Sequence, residues 1–328
     1  MELKVSFNLP VSNFQIELNA KLLLCGSCFA ENIGEKFLQN KFEALVNPLG
    51  ISFNPLSLHK QLIRIAKNKL IDENELKEKD DVFYHWDFHS DFCMYDKTEM
   101  AKFINSKILE AHQFILNANV LIVSYGTSFY YELIESKLVV NNCHKFPGYL
   151  FQKKLGSIQD FTSSFNESYK LLQAINPDLK IILTISPVKH YRDGIIENTH
   201  SKALLNCFVQ EILSSNEDIK YFPSFEIMNE ELRDYRFYKE NFTHPTTQSI
   251  EYIWQRFVET YLSGESKNFI TDFQKLKNNL SHKILFKGSN SHKLFVQKTI
   301  NTLDSFKLKY PEKDFKQEEE YFKQNNLF

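Results

Sequence analysis

KLLLCGSCFAENIGEKF, residues 21–37, decides how the rest of the chain is read. It runs strand, tight turn, helix. Leu22, Leu23 and Leu24 form the continuous apolar run of a strand buried on both faces. Gly26 supplies the freedom to turn sharply. Phe29, Ile33 and Phe37 then repeat at i, i+4 and i+8, with Ala30 and Leu38 beside them, which is one face of a helix. Ser27 falls where strand becomes helix, beside unpaired backbone amides and the positive end of the helix dipole. A nucleophile whose product is an oxyanion is well served there. An isolated serine in this setting is ordinarily only an N-cap, so the neighbouring segments must decide.

Working outward, buried-type strands recur at residues 22–24, 42–46, 120–123, 180–185 and 219–222, with helical spacing between them. Helices are expected over 56–65, 105–116, 161–175, 197–213 and 246–262. Such alternation predicts an α/β fold: a mostly parallel five-stranded sheet with helices on both faces, in the order 2-1-3-4-5. Ligands of these sheets bind outside the carboxyl ends of the strands. The polar, turn-rich segments fall there: 26–28, 47–54, 126–128, 186–197 and the loop with Asn241 and His244. From about residue 265 the chain turns polar and Lys-rich. This divides it into a main domain, 1–264, and a helical extension, 265–328.

Composition narrows the function classes. The 328 residues are 43% hydrophobic and 24% charged, with a net charge of −2, so no global basic field points to nucleic acid or anionic lipid. Residues 1–14 lack a basic patch followed by an apolar core and a cleavage site, and no run reaches membrane-spanning length. The chain therefore reads as cytoplasmic and membrane-free. Five scattered cysteines argue against a disulfide framework, although Cys25-Gly26-Ser27-Cys28 has redox C-x-x-C spacing. Residues 83–92, FYHWDFHSDF, alternate with period two. Tyr84, Trp86, Phe88 and Phe92 would face one side; His85, Asp87, His89 and Asp91 would face the other. A half-buried strand is expected, with a metal edge as the alternative.

Gly26-Ser27-Cys28-Phe29-Ala30 resembles the signature of the GSCFA family, which is similar to the SGNH/GDSL hydrolases, and the resemblance extends over most of 22–262. It implies a serine hydrolase on a flavodoxin-like fold, acting on a small acyl ester of a carbohydrate or other small molecule, with no metal or cofactor. Ser27 would be the nucleophile and His244 the base, presented before a helix by Pro245. The SGNH pattern Asp-x-x-His has Asn241 in place of Asp. An Asn carbonyl can orient the imidazole but cannot stabilise its charge, and Asp→Asn in a serine protease triad lowers kcat by about 10⁴. For the oxyanion hole, Ser27 and Gly50 fit the pattern. Gly126 and Ser128 stand where G-x-N would, and Asn142 is a substitute donor. His144 and His190, in the segments 142–145 and 186–190, would shape the substrate side or replace His244 as base. Two rivals remain: a non-catalytic binding module on the same fold, and a Cys28 thiol enzyme.

Overall fold

The computed structural model describes residues 5–280 and 288–324. Its centre is a parallel sheet of β1 (Lys21–Gly26), β2 (Glu43–Val46), β3 (Val120–Tyr125), β4 (Lys180–Ile185) and β5 (Lys220–Phe222). The spatial order is β5-β4-β3-β1-β2, the expected 2-1-3-4-5 read from the other edge. Leu23 of β1 pairs with Leu45 of β2 and Leu121 of β3, and Leu121 pairs with Ile181 of β4. Leu22, Leu23 and Leu24 are fully buried, each contributing about 1.5–3 kcal/mol.

Side-chain alternation along these strands feeds two cores. On one face Leu23, Cys25, Leu121 and Val123 meet α2 (Pro55–Ala66), α3 (Lys97–Ile115), α4 (Ile158–Ile175) and α5 (Ile195–Ser215). On the other, Leu22, Leu24 and Ile122 meet α1 (Cys28–Gln39) and α6 (Thr247–Tyr261) through Phe29, Phe37, Trp254 and Phe257. The second core continues into α7 (Gly264–Leu280) and α8 (Asn290–Lys309). Phe269, Phe273 and Leu276 sit at i, i+4 and i+7 of α7 and are fully buried, so the Lys-rich composition belongs to its outer face. A last helix, α9, spans Lys316–Gln324. The expected helical extension also covers 281–287 and 325–328, which lie outside the described residues.

Helix bounds fall near those expected, α3 starting eight residues earlier, behind its cap Asp96. The expected strand at 83–92 is corrected. Only Val82–Tyr84 is extended, in a small antiparallel sheet with Lys77–Lys79 and Cys93–Met94. Both sides of the alternation go inward: Trp86 and Phe88 are buried, and so are His85 and Asp87. The Asp87 carboxylate is held by Arg64 at 2.9 Å and Lys60 at 2.5 Å, and these cations keep it below the usual carboxylate range despite burial. Phe129–Leu133, Val139–Val140 and Phe151–Leu155 form a second small antiparallel sheet, outside the five strands expected.

Candidate active site

The carboxyl ends of β1 and β3 meet at the point where strand order reverses, the crevice expected for a ligand. Gly26 closes β1 at φ 133°, and a Cβ there would stand 2.1 Å from the Ser124 carbonyl oxygen. Only glycine lets the two backbones approach so closely. Ser27 follows, 1% exposed. Its amide donates to the Ser124 carbonyl at 3.0 Å. Its Oγ accepts from the Phe29 amide at 3.2 Å, as the N-cap of α1, and lies 2.8 Å from Ser124 Oγ. Cap and nucleophile candidate are therefore one atom.

Hydrogen bonds from backbone and side chains lace the neighbouring strand-end loops to this turn. Asn47 Oδ1 accepts from the Gly26 amide at 2.8 Å, and the Ser52 amide donates to the Gly26 carbonyl at 3.0 Å. Phe53 O accepts from both Gly126 and Thr127. From α5, Lys202 Nζ donates to Gly126 O and Ser186 O, each at 2.7 Å. That ammonium is buried, and desolvation, reinforced by nearby Lys189, pushes it well below the ordinary lysine value.

The histidine side is built differently. The Lys189 amide donates to Thr243 O at 3.0 Å, joining the loop after β4 to the one before α6. Asn241 Oδ1 accepts from the Thr243 amide at 3.0 Å and the His244 amide at 3.1 Å. The amide oxygen thus occupied, Nδ2 is the atom that faces His244 Nδ1, at 2.9 Å. Thr243 Oγ1 lies at the same 2.9 Å from this nitrogen; with Nδ2 as the donor, Nδ1 accepts and the neutral ring carries its proton on Nε2. Asn241 orients His244, but with the polarity opposite to that of a triad carboxylate. Partial burial and Lys239 lower the His244 value. Among the described residues no hydrogen bond joins Ser27 and His244.

His190 lies next to His244 in the electrostatics of the mouth. Its Nε2 would be 3.2 Å from a Cβ on Gly126, and its ring meets Phe53 edge-on. Burial, with Lys202, His244 and Lys153 around it, takes it down to about 3. The other expected residues are placed elsewhere or already engaged. The Gly50 amide is spent on Asn47 O and that of Gly126 on Phe53 O. Ser128 is turned away: its Oγ donates to Ser201 O at 2.7 Å and its amide to Ser201 Oγ at 2.7 Å. Asn142 Oδ1 accepts from the His144 amide. His144 is buried against Tyr84 and Trp86 with Nε2 2.9 Å from His85 O, which suits a scaffold and not a base. Burial lowers it to about 4.

Cys25 packs in the core beneath α2–α5, with its thiol pushed up to about 12, while α1 covers the opposite face. Burial and Glu31 raise the Cys28 thiol as well. Both shifts act against a thiolate at either position. Among the described residues no group of His, Cys, Asp or Glu could hold a metal ion, and no helix is long and apolar enough to cross a membrane.

Two residues of the site escaped the sequence reading. Ser124 was visible as a polar residue closing the apolar run VLIV. Lys202 lies four residues after Asn198 and three before Leu205, on the buried face of α5, and that spacing was the available signal.

No curated protein matches the chain. Among solved structures, a carbohydrate esterase family 3 protein from Talaromyces cellulolyticus aligns at 8% identity and a TM-score of 0.31, covering 77% of this chain and 99% of its own. A mutant acetyl esterase with acetate ion aligns at 11% and 0.32 over the same shares. An acetyl xylan esterase from the rumen bacterium Butyrivibrio proteoclasticus aligns at 13% and 0.29, covering 77% of this chain and 64% of its own. Two family models match: the GSCFA domain protein C-terminal domain over residues 273–326, and the GSCFA family over residues 21–257. That second match starts on the first residue of β1, takes in all five strands and ends inside α6: the chain belongs to the GSCFA family.

Proposed function

We propose that this protein is a serine-dependent hydrolase of small acyl esters. One observation carries the reading: Ser27 Oγ stands at the N-terminus of α1, at the carboxyl end of β1, beside the switch point of the sheet. There the helix dipole and first-turn amides favour a developing negative charge. Ser27 Oγ bonds to the acyl carbon, the ester C–O bond breaks, and the serine proton leaves with the alcohol. Water then cleaves the acyl-serine. His244 is the proton carrier; for Nε2 to take the serine proton the ring must hold its own proton on Nδ1, where Thr243 Oγ1 at 2.9 Å can accept it. Exposed aromatic side chains near this edge, Tyr191, Tyr235 and Phe242, support a carbohydrate leaving group, since sugar faces stack on such rings. No metal or cofactor enters the scheme.

Turnover of p-nitrophenyl acetate and a wider acyl panel tests this. Wild type should exceed Ser27→Ala on at least one ester, and equal background rates throughout would discard the reading. A second reading has its own support. The Nδ2 contact of Asn241 leaves His244 a donor at Nε2, which suits gripping a carbonyl oxygen. On that reading the chain is a non-catalytic module that binds acyl or carbohydrate ligands, and such ligands should raise Tm without being consumed.

A further inference from the structure

Ser124 is buried on the α1 side of β3, and its Oγ has one hydrogen-bond partner among the described residues, Ser27 Oγ at 2.8 Å. The direction of that bond follows from what surrounds each oxygen. Ser124 helps to line a small void of about 10 Å³, whose other walls are apolar, Phe29, Ile122, Phe222 and Phe257 among them, except for Thr184. If Ser27 were the donor, the Ser124 proton would face these apolar walls, and a buried hydroxyl proton without an acceptor is costly. If Ser124 is the donor, its proton is satisfied and the Ser27 proton is left uncommitted, available to a base. Thr184, the register partner of Ser124 on β4, does not compete. Its Oγ1 donates to Phe222 O at 2.7 Å and pairs with Ser224 Oγ at 2.8 Å.

We infer that Ser124 is a positioning residue that donates its hydroxyl proton to Ser27 Oγ and, with the Phe29 amide, holds two hydrogen bonds on the reacting oxygen. This rests on the ester-hydrolase reading and deepens it. Two donors fix the Oγ rotamer and stabilise negative charge on the oxygen as its proton departs. Ser27 would then draw its reactivity from the neighbouring strand and the helix terminus, leaving the histidine the single task of carrying the proton.

The test is the rate at which a fluorophosphonate labels Ser27, located by peptide mass spectrometry and followed across pH. Compared are wild type, Ser124→Ala, Ser124→Thr and Thr184→Val, with Tm measured for each. A hydrogen bond to a charged group sets the expected loss in Ser124→Ala at on the order of 10- to 100-fold, with the pH profile displaced upward. Ser124→Thr, which keeps the hydroxyl, should stay near wild type. Thr184→Val removes an equally buried hydroxyl that does not touch Ser27, so it should lower Tm but leave labelling intact. Equal rates in wild type and Ser124→Ala overturn the inference alone. Equal slowing in all three variants, with an unmoved pH profile, assigns Ser124 to packing and also overturns it. A wild type that is never labelled at Ser27 overturns the hydrolase reading, and this inference falls with it.

Discussion

The two halves of the candidate site are held by opposite means. Ser27 is enclosed: its amide and Oγ both reach Ser124, and Gly26 before it is tied on both sides, to Asn47 and Ser52. His244 stands on a loop whose neighbours are open to solvent, with Phe242 54% exposed and at φ 54°. A change on the first side is resisted by the packing of a parallel sheet. On the second side the decisive quantity is which atom of one amide faces one ring nitrogen. Position is thus a property of the sheet, while, on the ester-hydrolase reading, proton traffic is a property of a short loop, set by what Asn241 and Thr243 present to one ring nitrogen.

The most severe way to break this contrast is Asn241→Asp. The carboxylate can still accept from the Thr243 and His244 amides, while its other oxygen replaces Nδ2 against His244 Nδ1. The ring then carries its proton on Nδ1 and frees Nε2. On the ester-hydrolase reading, kcat toward p-nitrophenyl acetate should rise by on the order of 10³- to 10⁴-fold, the reverse of the loss known for Asp→Asn in a serine triad. No gain, in a variant with wild-type Tm, would remove Asn241 from the orienting role. Next in size is Gly26→Ala, which sets a Cβ against the Ser124 carbonyl at a positive φ. It should cost about 3 kcal/mol or more in urea unfolding; a cost near zero would mean that the turn yields.

The acid limb of activity sharpens the comparison further. Burial and Lys239 hold His244 below its ordinary value of about 6.5. On the ester-hydrolase reading the neutral ring is the working form, so activity should be complete above that value and be lost as pH falls through a midpoint below it, roughly tenfold per unit beyond. His190, down at about 3, stays neutral across the same range. NMR titration of the ring protons should show the two separately, and a His244 midpoint above 6.5 would contradict the assignment. The smallest effect belongs to Phe242→Ala on the open loop, expected within about 0.5 kcal/mol of wild-type stability by urea unfolding. A larger loss would show that the histidine side is as tightly held as the serine side.

What was legible in the sequence follows the same divide. The central strands could be read because doubly buried strands are continuously apolar over most of their length, as Leu22–Leu24 and Ile181–Leu183 are. The N-cap role of Ser27 came from local chemistry alone. Residues 83–92 misled because alternation signals one buried face only when the polar residues lack partners inside. Arg64 and Lys60, some twenty residues earlier, provide Asp87 with such partners. Ser128, expected as an oxyanion donor, is engaged elsewhere for a similar reason, since Ser201 claims both its groups across a sequence separation of 73 residues. The polarity of Asn241 depends on where two loop amides point, which no spacing encodes.

Lys202 carries one last consequence. An ammonium offers three N–H bonds, but the clamp between Gly126 O and Ser186 O uses two, and a neutral amine still has two to give. The link between the ends of β3 and β4 is therefore conserved when the proton is lost. As pH rises, the electric potential behind the crevice can fall by a full charge while its shape stays the same.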